Sequence, residues 1–391
     1  MTMENKKNVP AIRFKGFTDI WIKRSFGEVG SVAMNRRIFK DQTSPDGEIP
    51  FYKIGTFGEK PDSYISRKLF EEYKQKYPYP QIGDILISAS GSIGRLVEYK
   101  GADEYFQDSN IVWLTHDEQL SNLFLKYLYS IIKWNGLEGS TIKRLYNKNL
   151  LDTTFMIPNL ECHSKSIEEQ KAIGNYFQNI DKLIVASQTK LDKLKTIKKA
   201  CFEKMFPKNG STIPKLRFKG FAEEWKPSKL NEILRMHPFK PYLAKPILGG
   251  KYAIIQQGDN PIVGYANGEP FYDYKNVVLF GDQTLSFYKP RAPFFVATDG
   301  IRILSGNEVN DGDYLLCLLV QNRPNSEGYK RYYSSLINKQ CCITINQREQ
   351  IKIGRLFKTT DDLIVKTEQK IEKLKNIKKA CLDKMFVNRE D

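Results

Sequence analysis

Two stretches of this chain place apolar side chains at alternating spacings of three and four residues. In the first, Ile173, Phe177, Ile180, Ile184, Ser187, Leu191, Leu194, Ile197, Cys201 and Met205 trace one face of a helix, with one slip after Leu194. In the second, Ile353, Phe357, Thr360, Ile364, Thr367, Ile371, Leu374, Ile377, Cys381 and Met385 repeat the stripe 180 residues later. A capping box is expected to open each helix, Ser166 with Glu169 and Asn346 with Glu349. From residue 167 to 206 an unbroken helix rises about 60 Å at ~1.5 Å per residue. One small domain cannot cover that length. Two such stripes most simply bury each other as an intramolecular coiled coil, and the intervening chain must return, which favours antiparallel pairing. The alternative is that each helix pairs with a partner subunit.

The stripes belong to a larger repeat. PAIRFKGFTDIW (residues 10–21) returns as PKLRFKGFAEEW (214–225), offset by 204, with seven of twelve positions identical. The segment 168–206 returns as 348–386, offset by 180, with 21 of 39 positions identical. The segment between the paired motifs is therefore 24 residues longer in the first copy.

Between the repeated parts the pattern is mixed. IPFYKIGTF, GDILISASGSIGRLVEY and DSNIVWLT read as strands with Gly and Ser turns, and NLFLKYLYSIIKW and STIKRLYNKNLL as helices. The second block keeps the order, with KYAIIQQGD, NVVLFGDQTLSFYK and ATDGIRILS as strands, then helices from DYLLCLLVQN and GYKRYYSSLIN. The fold class expected is α+β, two similar globular domains joined by two long repeat helices that form an antiparallel coiled coil. The boundaries are a block at 1–165, a helix at 166–208, a block at 209–345 and a helix at 346–391. Near-identity in the helices beside divergence in the blocks implies one helical job done twice and two different globular jobs of one kind.

Charge adds a partner. The 391 residues carry 61 Lys+Arg against 45 Asp+Glu, a formal +16, so a polyanion is the default partner. With 41% hydrophobic and 12% aromatic residues the chain is too apolar for a disordered basic tail. The first residues lack the apolar run of a signal peptide, and the longest aliphatic stretch, 315–320, is far below a membrane span of ~18 residues; a cytoplasmic location is expected.

Catalytic frameworks are scarce. No phosphate loop, GxSxG elbow or HExxH occurs, and Asp259-Asn260-Pro261-Ile262 lacks the second proline and the aromatic residue of an amino-methyltransferase tetrapeptide. Six cysteines without CxxC and three scattered histidines give no metal-ligand set, and Cys162-His163 and Cys341-Cys342 read as ordinary packing residues. Pro61-Asp62 followed by Glu72-Tyr73-Lys74 matches a loose PD…ExK nuclease pattern, but the second part looks helical or looped and not like a strand beside Mg²⁺. No residue is assigned as catalytic or metal-binding.

Basic and aromatic residues are the better lead. Lys143, Arg144, Tyr146 and Lys148 follow a Gly-Ser entry, and Lys330, Arg331, Tyr332 and Tyr333 follow Gly328 at the matching place in the second block. Asn35, Arg36, Arg37 and Lys40 form another cluster. Lys and Arg there can reach phosphates and guanine edges, and Tyr supplies stacking or phosphate hydrogen bonds; a solvated basic face is the alternative.

Two copies of P-x-[IL]-R-F-K-G-F-x-x-x-W, two variable blocks and two nearly identical helices ending KKACxxKMF resemble, over essentially the whole chain, the specificity (S) subunit family of type I restriction-modification systems. The resemblance implies two target-recognition domains, each reading half of a split double-stranded DNA sequence, held apart by antiparallel helices that act as a ruler. It implies a non-catalytic subunit with no cofactor in this chain. Its partners would be two methyltransferase subunits that bind S-adenosylmethionine and methylate adenine, and two restriction subunits that use ATP and Mg²⁺ to translocate and cut DNA. The family fixes no short motif for base contacts, so the residues above rest on charge and position. A self-contained nuclease or methyltransferase with diverged motifs, and a coiled-coil scaffold that binds no DNA, are the competing readings.

Overall fold

The computed structural model describes residues 8–137, 144–159, 161, 163–208 and 210–387. It falls into two compact units whose limits cut across both long helices. The first runs through Ala186 and is rejoined from Ile371 on, and the second is Ser187–Lys370. Each unit thus contains one globular block and a part of each helix, which differs from a linear division into block, helix, block, helix.

Both units are built on one topology. In the first, a four-stranded antiparallel sheet runs in the order Gly30–Ala33, Ile111–His116, Ile85–Ser88, Leu96–Glu98, and in the second Leu234–His237, Ile301–Gly306, Val277–Gly281, Phe287–Tyr288. A three-stranded sheet accompanies each. Ile49–Tyr52 lies between Tyr64–Ile65 and, in parallel, Tyr105–Phe106. Tyr252–Ile255 lies likewise between Ile262–Ala266 and the parallel Phe294–Val296. A two-strand ribbon closes each unit, Trp21–Ser25 with Thr154–Pro158 and Lys226–Lys229 with Gln340–Ile343.

The strands read from uninterrupted apolar runs are sandwiched on both faces, which is why they do not alternate with polar residues. Ile85 and Ile87 face one core and Leu86 the other, as do Val112 and Leu114 against Ile111 and Trp113. In the second unit Val278 and Phe280 face the helix-side core and Val277 and Leu279 the core against the three-stranded sheet. The first unit adds helix Arg67–Lys76, whose Phe70 packs with Ile49, Phe51 and Tyr105; residues 52–88 are ten longer than 255–281, and this helix takes up the extra length. The expected helix over NLFLKYLYSIIKW is Asn122–Tyr129, and that over DYLLCLLVQN is Gly312–Gln321. Of STIKRLYNKNLL only Asn147–Asp152 is helical among the described residues, and GYKRYYSSLIN yields a helix only at Tyr333–Ile337.

The long helices run unbroken over His163–Lys204 and Gln347–Met385. Within each unit they are antiparallel: Tyr176 meets Cys381 and Asp181 meets Lys378 in the first, and Lys195 meets Glu368, Lys198 meets Asp361 and Phe202 meets Phe357 in the second. The repeat offset of 180 turns Asp181–Lys378 into Asp361–Lys198, so a single contact is made twice, at 2.6 and 2.5 Å. These lysines correct the expected stripe. Ile197 and Ile377 are exposed, at 55% and 36%, while Lys198 and Lys378 are partly buried. With Lys198 in place of Ile197 the slip vanishes, and the stripe becomes strict heptads with 173, 180, 187, 194, 201 in one row and 177, 184, 191, 198, 205 in the other. A lysine can serve because its aliphatic stem packs while its ammonium reaches the facing aspartate.

The first capping box is also corrected. The first helix begins at His163, so Ser166 lies inside it and bonds to the Pro158 carbonyl. In the second, Asn346 Oδ1 does cap, accepting from the Arg348 and Glu349 amides. The glutamates have another task. Glu169 takes a bidentate bond from Arg13 at 2.6 and 2.7 Å, and Glu349 from Arg217 at 2.6 and 2.9 Å.

That pair explains the RFKGF motif. In the first unit Ile12 N donates to the Lys384 carbonyl, and Trp21 packs edge-on against Phe386, at the end of the second helix. In the second unit Leu216 N donates to Lys204 O, and Trp225 packs against Phe206. Each motif therefore clamps the start of one long helix to the end of the other.

A glycine sets how closely each domain helix approaches. A Cβ on Gly174 would lie 2.9 Å from Leu123 Cγ, and one on Gly354 would lie 2.3 Å from Asp311 Oδ1 and 2.8 Å from the Tyr314 amide. Both glycines cost their helix ~1 kcal/mol relative to alanine, and the close contact outweighs this. Gly354→Ala is expected to lower stability by about 1–3 kcal/mol in urea denaturation despite its better helix propensity, because it displaces the Asp311 cap. A stabilised variant would refute the close-approach account. Glu349→Gln should cost ~3–5 kcal/mol by stranding Arg217, and the double change Arg217→Met with Glu349→Leu should cost less. Equal losses in the single and double variants would count against a buried ion pair as the cause.

Candidate nucleic-acid interface

At one end of each four-stranded sheet, four loops meet. In the first unit Ala89 N donates to Asn110 O at 2.7 Å, Leu145 N to Ala89 O at 2.8 Å, and Ile54 N to the Gln107 side chain at 2.9 Å. In the second, Asp282 N donates to Gly300 O at 2.8 Å, Tyr332 N to Asp282 O at 2.7 Å, and Gln257 Nε2 to Gln283 Oε1 at 2.8 Å. These bonds set the correspondence: Leu145 matches Tyr332, so Arg144 matches Arg331 and Tyr146 matches Tyr333. Arg144 and Arg331, read from the sequence as counterparts, occupy one place in the fold.

In the first unit Arg144 donates to Ser109 O at 3.1 Å and lies 5.8 Å over the ring of Tyr146, which is 61% exposed. Arg37, on the other side of the same loop, donates to Asp108 at 3.1 Å. Ser109 has φ of +50°, a conformation that side chains rarely adopt and that loops at functional sites tolerate. The hydroxyl of Ser90 bonds to Asn110 Oδ1 at 2.7 Å, adding neutral hydrogen-bonding groups to the rim. Arg36, Lys40 and Lys148 are exposed, Arg36 stacking over Tyr77.

In the second unit Asp282, fully buried, accepts two bonds from Arg302 on Oδ2, at 3.1 and 2.8 Å, and the Tyr333 amide on Oδ1 at 2.7 Å. Arg331 donates to Asp299 at 2.9 Å, which holds the Asp299 carboxyl below and the Arg331 guanidinium above their usual ranges. Burial pushes the Tyr333 hydroxyl up. Lys330 is tied to Glu327.

Two sequence-chosen residues do not reach this surface. Asn35 is buried, with its amide nitrogen on the Pro78 carbonyl and its Oδ1 without a partner. Tyr332, at the N-cap of the Tyr333–Ile337 helix, is buried in the core, where its ring packs and its hydroxyl donates to Gly328 O and accepts from the Glu327 amide. Lys143 lies outside the described residues. Ser90, Asn110, Gln257, Gln283, Asp282, Asp299 and Arg302 were missed, and the Gly/Ser-rich ends of the apolar strands were the signal that could have found them.

Other chemistry is not assembled. Asp62 pairs with Lys53, and Glu72, on a helix, pairs with Lys76, so the PD…ExK residues do not sit on adjacent strands. Among the described residues no group of three or more His, Cys, Asp or Glu could hold a metal ion, and no helix is long and apolar enough to cross a membrane. Cys201, Cys317, Cys341, Cys342 and Cys381 are free thiols, Cys341 pushed up to about 12 by burial.

The family model for the type I restriction modification DNA specificity domain matches residues 19–199, the first block and most of its long helix. Over those residues this chain is similar to that specificity family. A Haemophilus influenzae protein named as a type I restriction enzyme specificity subunit is 60% identical over 136 residues, 34% of this chain, which spans only 35% of that relative. A Methanocaldococcus jannaschii protein named as the MjaX specificity subunit is 23% identical over 403 residues, covering 94% of this chain and 93% of its own length. The crystal structure of the type I S subunit from M. genitalium has the same fold at 15% identity and a TM-score of 0.64, over 97% of this chain and all of that one.

Asp108→Asn should free Arg37 to meet phosphate. Titration of a random-sequence duplex is expected to give tighter binding at low salt and a log K against log salt slope steeper by about 0.9. An unchanged slope would place Arg37 away from the duplex.

Proposed function

We propose that this chain is the DNA-sequence specificity subunit of a type I restriction-modification complex. The first block (1–165) and the second (209–345) act as target-recognition domains, each reading one half of a bipartite target, and the helices at 166–208 and 346–391 set the spacer between the halves. The observation that carries this reading is one topology built twice, with the Arg–Glu clamp and the Asp–Lys seam contact repeated and the rim residues changed. Ala89 and Ser109 stand in one rim where Asp282 and Asp299 stand in the other. A scaffold kept constant under two different reading surfaces is what a split target requires.

In this reading Arg36, Arg37, Lys40, Lys143, Arg144, Tyr146 and Lys148 serve the first half-site, and Lys330, Arg331 and Tyr333 the second. The chain is non-catalytic and works in the cytoplasm. It recruits two methyltransferase subunits carrying S-adenosylmethionine and, in the full complex, two restriction subunits that use ATP and Mg²⁺.

Substituting Lys143 and Arg144 is expected to change or abolish recognition of one half-site and leave the other, with Lys330 and Arg331 doing the converse, at ~1–3 kcal/mol per lost base contact. Methylome sequencing of a host with each variant reads this directly. Equal change in both halves would refute separate readouts.

Inserting four residues near Gln188 adds about 6 Å of helix and keeps the stripe roughly in phase. The methylated motif is expected to gain up to about two spacer base pairs at ~3.4 Å each, with both halves unchanged. Two inserted residues rotate the stripe by ~200° and should abolish methylation. An unchanged spacer in an active four-residue variant would remove the ruler role.

A further inference from the structure

The two rims differ in one respect that bears on what each can read. Arg144 in the first unit meets a carbonyl oxygen and a tyrosine face. Arg331, in the matching position, meets carboxylates: Asp299 at 2.9 Å and, at 3.8 Å, Asp282, which also holds Arg302. We propose that Arg331 and Asp299 together read one G·C pair of the half-site bound by the second unit, Arg331 donating to guanine O6 and N7 and Asp299 accepting from cytosine N4. Asp282 is the positioning residue behind them.

Three observations carry the assignment. First, the cluster is electrically balanced, two carboxylates against two guanidinium groups, so it has no net attraction for a phosphate, and Asp299, 63% exposed, would repel one. A backbone contact is therefore disfavoured, and a base edge, which is neutral, is not. Second, an ionised carboxylate only accepts hydrogen bonds, so its partner on a base must be an exocyclic amino group, and a guanidinium only donates, through five N–H groups of which its neighbours here use a part. A donor fork beside an acceptor matches the major-groove edge of G·C, where guanine offers two acceptors and cytosine one donor. Third, the pair is held before any partner arrives. Asp282 is fully buried, and its carboxylate binds Arg302 and the Tyr333 amide while its backbone joins Gly300 and Tyr332. That ties together the loops bearing Asp299 and Arg331. In the first unit Ala89 and Ser109 occupy the positions of Asp282 and Asp299, so this arrangement belongs to the second half-site alone.

The inference rests on the chain being a specificity subunit, and one experiment separates the two. The complete system is expressed in a host with the wild-type chain, Asp299→Asn, Asp299→Ala or Arg331→Ala, and the methylated motifs are sequenced. Asp299 is mostly exposed, so its variants are expected to fold with an unchanged melting temperature. Both Asp299 variants and Arg331→Ala should relax the same single position, a G·C pair in wild type, lowering its preference by roughly 5- to 150-fold while the other half-site stays intact. A relaxed position that is A·T in wild type, a motif unchanged by all three variants, or a uniform loss across all positions would each overturn the G·C assignment and leave the specificity role standing. A wild-type chain that yields no bipartite motif would overturn the specificity role itself.

Discussion

The antiparallel pairing of the long helices completes the core of each unit, and the first unit cannot close its core from contiguous chain. The first core includes Met385 and Phe386, from the end of the second helix, and the second includes Met205 and Phe206, from the end of the first. Trp21 and Trp225 pack on those phenylalanines, and the Arg–Glu pairs fix the helix starts beside them. The first unit therefore completes its core only when the last part of the chain is in place, a contact of very long sequence separation with the loop-closure cost that implies.

This constraint accounts for where the chain repeats itself and where it does not. Residues at the seam must fit the facing helix, so Asp181 and Asp361, and Lys198 and Lys378, recur at a fixed offset. Gln170 and Gln350 extend the same logic to the domains, each bonding the segment that enters its domain helix. The rim loops carry no such load. Their backbones are anchored by the same sheet-end hydrogen bonds in both units, which leaves the side chains free to differ. A rigid frame under exchangeable loops is the arrangement that lets one fold present two chemistries.

The electrostatics of the two rims show what that freedom produced. The first combines cations with neutral acceptors and donors, Arg144 with Ser109, and Ser90 with Asn110. The second buries a carboxylate between two arginines, a costly arrangement offset by the Arg302 bonds to Oδ2 and the Tyr333 amide on Oδ1. The net charge of +16 is a property of the whole chain and does not distinguish these surfaces.

The sequence by itself determined the repeat, the two long helices and the double α+β plan. Those follow from local periodicity and from identity at fixed offsets, which the chain carries in one dimension. It also determined that Arg144 and Arg331 are counterparts. It misplaced the seam at Ile197 and Ile377 because a stripe drawn by hydrophobicity rejects lysine, whereas a side chain with an apolar stem facing an aspartate fits the heptad. It credited Glu169 to a cap because the arginine that claims it is 156 residues away. Tertiary structure alone decided that Asn35 and Tyr332 face inward and that Asp282, Asp299, Arg302 and Arg331 meet. Such a cluster draws its members from loops separated by tens of residues, and only the closing of the sheet brings them within a hydrogen bond of one another.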